Sequence, residues 1–161
     1  MDSIKSESSV IDAIQTRRTI KEFRSDPIPE ETLWRILDAA RWAPNHRLTE
    51  PWRLTIMGKE SREALADALA ALAASGQDSS ALERARAETR RKVMSSPVLL
   101  AVTCRLEGNP AQQVEDLAAV CAAMQNLQLA AWSEGIGSHW NTGKVTPFTE
   151  NSGFVGALRT Q

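Results

Sequence analysis

Tyrosine is absent from this 161-residue chain, and cysteine and histidine occur only twice each. So few ligating residues, with no thiol near either histidine, exclude a zinc site of the usual spacing. Cys104 and Cys121 both lie inside apolar segments. That placement predicts buried, reduced thiols and a cytoplasmic setting rather than a disulfide. No run of about 18 apolar residues is present, so no transmembrane helix is expected. Residues 1–7 lack the basic-then-apolar order of a signal peptide. Neither sign of charge is in excess: 19 Lys and Arg face 20 Asp and Glu, a net charge of -1. Composition therefore argues against nucleic acid and against an anionic membrane as partners. There is no phosphate-binding loop, no glycine-rich dinucleotide fingerprint and no Gly-x-Ser-x-Gly elbow. No acid/base dyad or activated nucleophile stands out. The five tryptophans have no evident physical reason. With no repeat and no internal boundary, the chain reads as one domain over 1–161.

What is present is a clear alternation of elements. Residues 9–15 predict a short helix with Val10, Ile11 and Ile14 on one stripe. A cation-dense stretch over 16–24 follows, and then a proline turn at 25–29. Leu33, Ile36, Leu37 and Ala40 recur at helical spacing over 30–41, behind Pro29 and the acidic pair Glu30 and Glu31. Residues 52–57 alternate as a strand. Helices are expected over 59–74 and 81–93, around a polar break at 75–80. The apolar run 97–104 suits a strand covered on both faces. The longest helix is expected over 111–134, and it is apolar nearly all round. Such a helix needs cover on most sides, which in a domain this small a second subunit can supply. A glycine-flanked polar loop, with a strand as an alternative reading of its start, occupies 135–144, and 146–158 reads as a short helix or turn with no closing strand after it.

Three polar stretches interrupt this frame. Arg17-Arg18-Thr19 followed by Lys21 is dense in donors. Ala43-Pro44-Asn45-His46-Arg47-Leu48-Thr49-Glu50-Pro51-Trp52 is a loop bounded by prolines. Gly135-Ile136-Gly137-Ser138 leads into Trp140-Asn141-Thr142-Gly143. Taken singly, the first reads as a solvated basic patch, and His46 serves equally well as a helix cap or as a ligand contact. Trp140 serves equally well as core packing. In their order and spacing, together with Pro27-Ile28-Pro29, they resemble the FMN-dependent nitroreductase family, in the branch that carries a histidine after Pro-Asn or Pro-Asp. The resemblance covers almost the whole chain.

The resemblance implies an α+β fold: a central mixed or largely antiparallel sheet flanked by helices, with the long helix at a homodimer interface. It implies FMN as cofactor, NADPH or NADH as electron donor, and ping-pong transfer through the flavin to a nitroaromatic, a quinone or a similar small molecule. It assigns Arg17, Arg18, Thr19, Lys21, His46, Trp140, Asn141 and Thr142 to FMN, with His46 reaching it from the partner subunit and Lys21 near the N1/O2 edge of the ring. The donor chemistry is suitable, because a phosphate is well matched by guanidinium forks and a hydroxyl. No side chain is assigned to catalysis, since the cofactor carries the hard chemistry. His139, Trp42 and Trp52 receive no role. Two departures stand out. Glu50 replaces a common glutamine, so it accepts but cannot donate; an ion pair with Arg47 or Arg53 is the structural alternative. The family's later strand and C-terminal extension are not found, which leaves a non-catalytic flavin-binding subunit or an inactive remnant as the competing expectation.

Overall fold

The longest helix is the axis on which everything else is hung. The computed structural model describes residues 9–76, 78–141 and the backbone of 154–158. Helix α1 spans Val10–Thr16, where Ser9 and Asp12 form a reciprocal capping box. Helix α2 spans Glu30–Ala40, with Pro29 at its cap and Glu30 and Glu31 in its first turn. Strand β1 is Trp52–Ile56. Helices α3 (Lys59–Ala73) and α4 (Ser79–Met94) form a hairpin, and strand β2 is Leu100–Cys104. Helix α5 is Pro110–Ser133, started by the Asn109 side chain and by proline at its first position. Strand β3 is Ser138–Trp140 and β4 is Phe154–Leu158.

The four strands lie in the order β1-β2-β4-β3, every pair antiparallel. One parallel bridge, Thr19 with Ser138, extends the β3 edge. The expected α+β sheet is therefore present. One expectation is corrected. The local pattern predicts a short helix or turn for residues 154–158, and they form a strand between β2 and β3. Its partners lie fifty-six and sixteen residues upstream in register (Leu100 and Trp140, both opposite Gly156), so no local periodicity announces the pairing. Residues 146–153 lie outside the described residues.

The main core forms where α2 and α5 cross the sheet. Ile36, Leu100, Val102 and Val120 are almost fully buried there. A second, smaller core of Ala66, Val93 and Leu99 holds the α3–α4 hairpin to the end of β2. The hairpin's base is tied by one side chain. Arg62 donates to the carbonyl oxygens of Met57 (3.0 Å), Ser96 (2.6 Å) and Pro97 (3.1 Å), and so joins the exit of β1 to the entry of β2. Burial there pushes its guanidinium pKa down. Cys104 is buried and Cys121 half-buried, both as free thiols, as their apolar surroundings predict.

Candidate functional site

The basic stretch and the glycine loop meet beside the C-terminal end of α5. That helix is capped at Glu134 and terminated by Gly135, whose φ is 75°. Ile136 N–H returns to the Ala131 carbonyl (2.8 Å) and Gly135 N–H to that of Trp132 (3.0 Å), the double bond pattern that left-handed C-caps produce. The chain is thereby turned directly into β3. Ile20 N–H then donates to the Ser138 carbonyl at 3.1 Å. The two backbones approach so closely that a Cβ at Gly137 would sit 2.5 Å from Ile20 Cγ1 and 2.9 Å from its Cβ. Below this contact Gln128 Nε2 donates to Ser138 Oγ at 3.2 Å, both residues being buried. Trp132 Nε1 donates to Thr16 Oγ1 at 2.9 Å and fixes the start of the basic stretch.

Of the residues assigned to this region, Arg17 is half-buried, while Arg18, Thr19, Lys21 and Asn141 are exposed. Arg18 Nη1 donates to the carbonyls of Gln15 and Arg17, 2.9 Å each. Among the described residues no carboxylate pairs with the Arg17 or Arg18 guanidinium. Trp140 is half-buried and packs on the main core. Thr142 lies outside the described residues.

The proline-bounded loop lies elsewhere. Its 3-10 turn is His46–Leu48, and Arg47, Leu48 and Glu50 all have positive φ, at 59°, 53° and 41°. Each such residue costs about 1–2 kcal/mol unless its surroundings hold it there. They do. Asn45 Oδ1 accepts from Glu50 N–H (3.0 Å), Thr49 Oγ1 donates to Asp116 Oδ1 (2.6 Å), and Arg105 and Arg53 reach the carbonyls of Thr49 and Glu50 (3.1 Å each). His46 Nδ1 stands 2.7 Å from Glu115 Oε2. The histidine is thus neither a helix cap nor unpartnered. Glu50 makes no ion pair with Arg47 or Arg53 among the described residues; Arg53 takes its backbone carbonyl instead. Beside His46 is a shallow cavity of about 350 Å³ floored by Ala118, Ala119 and Ala122 of α5. A larger cleft of about 590 Å³ between α2 and β1, with Trp34 and Trp52 in its wall, contains none of the assigned residues.

The structure therefore gathers the assigned residues into two groups, one at each end of α5. Thr16 bonds Trp132 and His46 bonds Glu115. Those helix positions are seventeen residues apart, about 25 Å along the axis. Glu115, Asp116 and Gln128 escaped the sequence reading. The one available signal was the adjacent pair Glu115 and Asp116, the only carboxylates of α5; Gln128 is one of five amide side chains on that helix, and nothing sets it apart.

A phosphate-bearing ligand fits the first group. Two guanidinium groups without carboxylate partners among the described residues and an exposed hydroxyl occupy three consecutive residues, and the missing side chain at Gly137 lets this stretch pack against β3. The frame is that of an α+β protein whose long helix joins a cation-rich end to a strained histidine loop. A model of the nitroreductase family matches residues 14–144, and the chain belongs to that family. "Putative NAD(P)H nitroreductase YfhC" of Bacillus subtilis (strain 168) is 33% identical over 145 residues, 89% of this chain and 74% of the relative. Among solved structures, the nitroreductase-like family protein from Bacillus cereus superposes with a TM-score of 0.79 at 29% identity, covering 98% of this chain and 87% of the other. A nitroreductase with bound FMN from Bacteroides fragilis NCTC 9343 gives 0.73 at 26% identity, over 94% and 88%.

Proposed function

We propose that the chain is an FMN-dependent NAD(P)H oxidoreductase that reduces nitroaromatics, quinones or similar small acceptors, and that its flavin site is completed by a second copy of the chain. FMN, when bound, supplies a centre that takes a hydride from the nicotinamide and passes electrons to the acceptor. The protein binds and orients it. Arg17, Arg18 and Thr19 hold the phosphate, Lys21 places a positive charge near the ring edge, and Trp140, Asn141 and Thr142 line the same region. His46 comes from the partner.

The observation that carries the shared site is the separation of the two groups along α5. Exposed apolar side chains flank both of them: Val10, Ile11 and Ile14 beside the basic stretch, Leu48 and Val114 beside His46. Apolar surface of this kind marks a contact. We infer a twofold pairing that buries both flanks and sets each basic stretch beside the other copy's histidine.

The test is spectroscopic. Purified protein is expected to be yellow, to bleach under anaerobic conditions on addition of NADPH or NADH, and to recover its colour with a quinone. Protein that stays colourless when supplied with FMN overturns the reading. Yellow protein that neither nicotinamide bleaches points to a flavin-binding subunit without turnover.

A further inference from the structure

The His46–Glu115 contact joins two elements that no backbone bond connects directly. Both side chains are exposed, His46 at 57% and Glu115 at 46%. An exposed hydrogen bond between side chains contributes little to stability, so the contact needs another reason. Tautomer control is one. A carboxylate can only accept, so at 2.7 Å the bridging proton belongs to Nδ1. In the neutral ring this leaves Nε2 with its lone pair and no proton. Among the described residues Nε2 has no partner. It belongs to a side chain that borders the alanine-floored cavity. The small side chains of Ala118 and Ala122 let a ligand chain come close to the ring edge there. The backbone beneath is held by the next residue of α5, because Asp116 takes the Thr49 hydroxyl.

We propose that Glu115 is a positioning residue for the flavin site: it fixes His46 in the Nδ1–H tautomer, so that Nε2 accepts a hydrogen bond from a hydroxyl of the cofactor's ribityl chain. The proposal rests on the flavin reading above. It makes Glu115 act only through His46.

Two measurements test it. The first is the imidazole ¹⁵N spectrum of flavin-free protein on the alkaline plateau of its titration. With only two histidines in the chain, His46→Ala assigns the signals. His46 is expected to show a protonated Nδ1 and a bare Nε2. Glu115→Ala should abolish that preference, and Glu115→Gln, whose amide oxygen still accepts, should keep it. The second is FMN affinity by quenching of flavin fluorescence. Glu115→Ala should raise Kd about tenfold, the equivalent of one hydrogen bond. Glu115→Gln should restore most of the affinity. In a His46→Ala background Glu115→Ala should have no further effect. Additive losses, an unchanged tautomer in Glu115→Ala, failure of glutamine to rescue, or an affinity loss that follows a fall in Tm would each overturn the proposal and leave the flavin reading standing. A wild-type protein that takes up no FMN overturns both.

Discussion

Arg17 and His46 are single side chains on which the flavin reading can be broken. Arg17→Ala should weaken FMN binding by about 2–3 kcal/mol, the value of a charge-assisted hydrogen bond to a phosphate. Equilibrium dialysis against FMN measures it, and wild-type occupancy in the variant would remove the phosphate from this segment. Cys104 gives a residue-scale prediction of a different kind. Burial above all, then Asp116 and Cys121, pushes its thiol from 9.0 up to about 11. The unfolded chain loses that proton first as pH rises. Stability linked to Cys104 is therefore complete below pH 9 and is lost as pH passes 11, so the urea midpoint should fall across that window in the wild type and fall less in Cys104→Ala. Which residues were legible depends on how they announce themselves. Arg17-Arg18-Thr19 and the Pro44-to-Pro51 loop are contiguous, so the sequence displays them whole. Glu115 and Asp116 act by reaching loop residues sixty-nine and sixty-seven positions away, and a carboxylate on a helix otherwise reads as solvated surface.

Among the elements, the helices and β1 and β2 follow from local pattern: caps at Ser9 and Asn109, the acidic first turn of α2, alternation after Pro51. The β3–β4 pair does not, because strand pairing is a long-range choice and Gly156 carries no side chain to mark a face. Two substitutions probe how the elements are joined. Arg62→Ala removes three carbonyl bonds from the base of the α3–α4 hairpin. It should cost about 2–3 kcal/mol in urea denaturation and raise amide exchange first in that hairpin. Gly137→Ala places a methyl against Ile20 Cβ, a stem atom that cannot swing aside. It should cost about 1–3 kcal/mol. Because Ile20 N–H is bonded at the same point, FMN affinity should fall with it; unchanged affinity would show that the basic stretch is not held by β3.

The whole molecule is asymmetric in a useful way, with one half of the expected site at each end of α5. If two copies share each site, lesions in different halves should complement. A mixture of Arg17→Ala and His46→Ala chains forms mixed dimers in which one site carries both lesions and the other none. The mixture, unfolded together and refolded, should recover about a quarter of wild-type flavin occupancy, the statistical share of intact sites. Recovery no greater than the two variants give separately would place both residues in a site built by one chain. The resemblance of the sequence to its family predicts this division. Periodicity alone could not, since the α5 pattern records that cover is needed and is silent on which copy provides it.

The order of the sheet has a consequence for how the protein comes into being. Strand β4 leaves the ribosome after the other three described strands, yet it lies inside the sheet and not at its rim. Until it is made, β1 and β2 can pair, but β3 has only the Thr19 bridge and its packing on α5. The nascent chain therefore exposes two open strand edges facing one another across an empty slot, the kind of intermediate that recruits a neighbour's strand. Helix α5 and the α3–α4 hairpin can form early from local contacts, whereas the pairing of β2 with β3 through β4 waits for β4 itself.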